Sequence, residues 1–173
     1  MSDDSKYPPS PYDKKGTTNP WRFAIYIGFF AGLIWGMIRW VCYALKFTTI
    51  IPGFIAEPFF LSSFLRTGWG MAVGIASYII FSIIASLIYM ALLRRLRGPW
   101  PGVGYGFVWW AILFAGLGPL MGMMNNLWTA GWNTLYTELC ISLLWGVFIG
   151  YSITFEFTDE ASREPMKKTI LAK

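Results

Sequence analysis

Four apolar runs dominate this chain: Phe23 to Phe47, Trp69 to Leu93, Val103 to Met124 and Leu135 to Phe155. Each is long enough to cross about 30 Å of hydrocarbon as a helix, which takes roughly 20 residues. Inside a bilayer every backbone N–H and C=O must be bonded within the protein, so only helices and closed barrels can span it. Barrel strands would read as segments of about ten residues with alternating polarity, and these runs do not alternate. Charged residues make up 13% of the 173 residues, against about 25% in an ordinary soluble domain. The predicted fold is all-α: a polytopic membrane protein built as a bundle of four transmembrane helices.

The first run is not a cleavable signal, because "VCYALKFT" offers no small-x-small site. Residues 1–20 are proline-rich and mixed in charge, too polar to bury a core, and are expected to form a disordered tail. Residues 21–157 form the membrane domain, with an outer loop at 48–68, and residues 158–173 form a second tail. Lysine and arginine favour cytoplasmic flanks. They gather before the first span (Lys6, Lys14, Lys15, Arg22), in the loop after the second (Arg94, Arg95, Arg97) and after the fourth (Arg163, Lys167, Lys168, Lys173). Only Lys46 and Arg66 lie on the other side, so both termini are expected in the cytoplasm. The net charge of +5 is then chiefly a topology signal. It is not the mark of a nucleic-acid-binding domain, since no folded basic domain exists to present it. The Arg94–Arg97 loop can also attract anionic lipid headgroups, at about 1 kcal/mol per cation.

Within the first span, "IGFFAGLIWGMIRW" places Gly28, Gly32 and Gly36 on one strip of the helix, and Arg39 falls on the same strip. Glycine strips let membrane helices approach closely. An intramembrane cation belongs on a protein-facing surface. Similar strips recur in the other spans: Gly70 and Gly74 with Ser77 and Ala85; Ala111, Ala115, Gly118 and Gly122; Gly146 and Gly150. They serve either packing within the bundle or association with a second copy. Pro119 is expected to kink the third span or begin its unwinding, because it removes one backbone donor and crowds the carbonyl four residues earlier.

Glu138 enters the fourth span near its outer end, and Arg39 lies about 10 Å below the outer edge of the first. A guanidinium can reach outward along its stem. An Arg39–Glu138 ion pair between the first and fourth helices is therefore predicted, either as a static clamp or as part of a gate. The helical wheel turns Cys140 to the opposite face from Glu138, and so away from Cys42. These cysteines are expected to stay unpaired. In the outer loop, Pro58 is expected to start a short interfacial helix with Arg66 in its last turn and Gly68 as its stop.

The stretches "WPGVGYGFVWW" from Trp100 and "GVFIGYSITFEF" from Gly146, with "EPFFLSSFLRTGWG" in the outer loop and the four-span layout, resemble the YqhR family of small membrane proteins of bacilli and related Gram-positive bacteria. The resemblance covers most of Arg22 to Phe157. It implies a bacterial cytoplasmic membrane as the site of action, and carries no catalytic or ligand-binding residue onto this chain.

Three classes of function compete. The chain has no histidine, no paired carboxylates and no phosphate loop, so no enzyme, metal or cofactor is expected. A structural or interaction protein, packing through its small-residue seams with itself or with membrane partners in the lipid bilayer, needs only the surfaces this sequence supplies. The alternative is a small transporter or channel with Arg39 and Glu138 on a polar path, which would need a wet cavity reaching Arg39.

Overall fold

Pro20 sits in a first helical turn, where its missing N–H is no loss, and the apolar run it opens forms α1, Pro20–Ala44. In a computed structural model, residues 19–93, 96, 98–120 and 131–162 are described, with side chains as far as 156. Gly122, Arg94, Arg95 and Arg97, and the tails at residues 1–18 and 163–173, lie outside the described residues, whereas the last helix carries the chain on past the expected start of the second tail, to Ser162. After α1 the chain turns through Lys46, whose φ of 61° is left-handed, and passes a 3-10 turn at Phe54–Ala56. The short α2, Ser62–Leu65, leads into α3, Gly68–Leu93. Two more helices follow, α4 at Trp100–Leu120 and α5 at Trp132–Ser162. Among the described residues there is no strand, and these four long helices are each apolar enough to cross a membrane.

Two of the loop expectations change. The short helix begins at Ser62 and not beside Pro58, which lies in a turn, and Gly68 opens α3 where it was expected to close the loop helix. The apolar loop gains more by burying Ile51, Phe54 and Leu65 in the bundle than by lying on the bilayer. Phe54 stacks on Phe114 of α4, ring centroids 5.1 Å apart.

The effect of Pro119 also takes another form. Leu120 is still helical, and the disturbance lies just before the proline, where Ala111–Leu117 is wound as a π-helix. Widening those turns relieves the clash that the proline ring would make with the preceding carbonyls. It also breaks the described part of the expected strip, Ala111, Ala115 and Gly118, since a face computed for 3.6 residues per turn is not kept by a π segment. Gly118 is buried, but Ala115 is exposed.

The helices pair closely in twos. A Cβ added to Gly28 would lie 2.6 Å from Ile83 Cα, and one on Gly32 would lie 2.5 Å from Ile79 Cα, so α1 and α3 touch backbone to backbone. Likewise α4 and α5 meet through Gly102, Gly106, Gly146 and Gly150, with a Cβ on Gly146 2.5 Å from Gly106 Cα and one on Gly150 2.7 Å from Gly102 Cα. Where lipid tails are as apolar as the side chains, such approach supplies the dispersion and Cα–H···O contacts that hold helices together. Gly70 and Gly74 receive the outer loop instead of a helix: a Cβ on Gly74 would lie 2.6 Å from Gly53 Cα. Of the three α1 glycines, Gly36 has ordinary room, 3.4 Å to Ile75 Cγ2.

An aromatic layer joins the two pairs. The Trp145 ring lies 5.7 Å from Phe81 and 6.1 Å from Tyr105, and Tyr89 meets Tyr105 edge-on at 5.0 Å. Two of their polar atoms are tied across the same layer: Trp145 Nε1 donates to Ser82 Oγ at 2.9 Å, and Tyr105 Oη donates to the Ala85 carbonyl at 2.6 Å.

Candidate functional site

Because Arg39 continues the strip of Gly28, Gly32 and Gly36, the packing of α1 against α3 carries its guanidinium inward. It is 1% exposed. Glu138, one turn into α5 from Thr134, is 0% exposed. Arg39 Nη2 and Glu138 Oε2 are 2.8 Å apart, so the structure brings the two candidate residues together. The guanidinium also lies over the Tyr78 ring of α3, 4.8 Å from its centroid. The pair thus links three of the four long helices.

The segment following α1 closes the outer side. Thr48 Oγ1 donates to Glu138 Oε1 at 2.9 Å and accepts from the Ile50 amide at 3.2 Å. Thr134 Oγ1 accepts from the Thr49 amide at 3.3 Å, and Thr137 Oγ1 donates to the Phe47 carbonyl at 3.4 Å. The first turns of α5 therefore staple down the chain leaving α1. Thr48, Tyr78 and Thr134 escaped the sequence reading. Thr48 lies outside the periodic helix, and Tyr78 reads as one more aromatic until α3 is docked on α1.

Beyond Glu138, Arg39 is under-satisfied. Its Nε and Nη1, and Trp35 Nε1 about one turn away, are buried without a hydrogen-bond partner among the described residues. Cys42 and Cys140 are free thiols, Cys140 exposed, as the helical wheel anticipated. Outside the spans, burial pushes the Glu57 carboxyl up from its ordinary range, against the opposing pull of the Ser62 hydroxyl that donates to it and of nearby Arg66.

Thr48 gives a direct test of how much the cap contributes. Hydrogen bonds to a charged acceptor are worth about 1.5–3 kcal/mol, so Thr48→Val is expected to destabilise the protein by about 2 kcal/mol. Thr49→Val, at an exposed position with a weaker 3.3 Å contact to Thr134, should cost less. Thermal unfolding of both variants in the same detergent checks the order.

Residues 14–168 match the family model of the conserved membrane protein YqhR. The curated relative "Uncharacterized protein YqhR" of Bacillus subtilis (strain 168) is 35% identical over 132 residues, covering 76% of this chain and 74% of that protein. No solved structure matches.

Proposed function

The chain belongs to the YqhR family of conserved membrane proteins, and we propose that it acts as a structural or interaction protein of the bacterial cytoplasmic membrane, without catalysis of its own. The observation that carries this reading is the closure of the Arg39 and Glu138 pair. Both residues are essentially inaccessible, capped by Thr48 and floored by Tyr78, an arrangement suited to a clamp. Because the glycine seams are used inside the chain, partners would meet its lipid-facing walls and its outer loop. There Phe59 and Trp69 are each 83% exposed, beside Leu61.

A tag on the C-terminal tail, placed on the cytoplasmic side by the arginine and lysine distribution, suits the test. Crosslinking in native membranes followed by recovery through that tag in mild detergent should bring down defined membrane proteins or a second copy. Recovery of the chain alone, or tag accessibility from outside intact cells, overturns the reading.

One observation favours a second reading as a transporter. Buried donors left open on Arg39 and Trp35 are the groups an ion path would use. Proton or anion flux through proteoliposomes of the purified protein, abolished by Arg39→Met, would establish it.

A further inference from the structure

A groove of about 360 Å³ runs along the outside of the bundle, where the outer loop crosses α3. It is lined by Ile55, Ala56, Phe59 and Phe60 from the loop and by Ser77, Ile80, Phe81 and Ile84 from α3. Its only side-chain hydroxyl is already committed, since Ser77 Oγ donates to the Val73 carbonyl of its own helix at 2.9 Å. Nothing in the lining can orient a polar ligand. Its α3 wall is continuous with the lipid-facing surface of the helix, on which Ile80 and Ile84 are exposed.

We propose that this groove seats an acyl chain of a phospholipid from the leaflet on the loop side. A partner helix is the competing occupant, and the fold argues against it. Gly70 and Gly74 lie on the same face of α3 as Ser77, Phe81 and Ile84 by the helical period. The loop backbone crosses at those glycines, 2.6 Å from the place a Gly74 Cβ would take. A straight helix laid along this face would run into the loop about one turn above Ser77. A flexible hydrocarbon chain can enter beneath the overhang from the side and follow α3 from Ser77 to Ile84, about 10 Å. Displacing disordered contacts along so apolar a cleft favours a chain that conforms to it.

The test uses the full-length protein in vesicles containing phosphatidylglycerol with a photoactivatable diazirine in one acyl chain. After irradiation and peptide mapping, label is expected to concentrate on residues 55–60 and 77–84. In Ser77→Phe, which fills the groove without removing a contact between helices, that label should fall by roughly an order of magnitude while label elsewhere stays constant. Ile84→Trp blocks the other end and decides the question if Ser77→Phe does not fold. Label spread evenly over all lipid-facing positions, label unchanged in a folded blocking variant, or a protein crosslink to the α3 wall of the groove, residues 77–84, in native membranes would each overturn the proposal.

Discussion

Replacing Gly32 by alanine is expected to cost about 3 kcal/mol, at the upper end of overpacking penalties, and to lower the yield of folded protein in detergent. The added methyl would stand 2.5 Å from Ile79 Cα and 3.0 Å from Ser82 Cβ, and the nearer obstacle is backbone that no rotamer change can move. To make room α1 must withdraw from α3 along its length. That weakens the Gly28 contact and the Ser86 bond to the Ala24 carbonyl, 2.6 Å in the intact seam. Gly32→Ile should be worse still. Gly36→Ala meets only ordinary contacts and should be tolerated, and Gly104→Ala, with nothing within 4 Å, should be neutral or stabilising by about 0.5–1 kcal/mol through helix propensity. Size-exclusion profiles and unfolding temperatures rank the four variants. A Gly32→Ala protein as stable as Gly104→Ala would show that α1 and α3 do not touch. One that keeps its stability but changes its oligomeric size would place the strip between copies.

Four spans, their near boundaries and the inward face of α1 were legible because hydrocarbon imposes length and helical period on a sequence directly. The glycines of α1 share a 3.6-residue period and pack as that period implies. The third span is present, but the small-residue face drawn on it is not kept, because Pro119 acts on the preceding turns. A π segment at Ala111–Leu117 alters the phase, and the tight contact moved to Gly102 and Gly106. Those two glycines stand four apart within "GVGYG" and carry the same signal as Gly146 and Gly150. The loop was misjudged for a different reason: no period marks which of its apolar residues turn inward, and Phe54 is buried because Phe114 waits for it. At the candidate site the two charges were found by scarcity, Arg39 the one charge in the interior of the first span and Glu138 the one charge in the fourth run before its inner end. Thr48 and Tyr78 carry no such mark, since hydroxyls and aromatics occur throughout the chain.

The pair itself should show strong non-additivity. Removing one member of a buried ion pair strands the other and costs about 3–5 kcal/mol, and the two single changes should not be equal. After Glu138→Gln the Arg39 guanidinium stays charged, because arginine does not give up its proton in proteins. It keeps only the Tyr78 ring below it and the amide oxygen of the new side chain. After Arg39→Met the stranded carboxyl can be neutralised by taking a proton and still bond to Thr48, 2.9 Å away. Glu138→Gln is therefore expected to be the more damaging single change, and the double variant less damaging than either, as for residues in direct contact. Unfolding in detergent across the full cycle measures the coupling, and strictly additive effects would refute a mutual dependence. The same cycle separates the two roles of the pair. If it is a clamp, the double variant recovers both stability and the crosslinked partners seen with the native chain. If it gates an ion path, stability returns but flux through proteoliposomes does not, because the open donors on Arg39 have gone with the side chain.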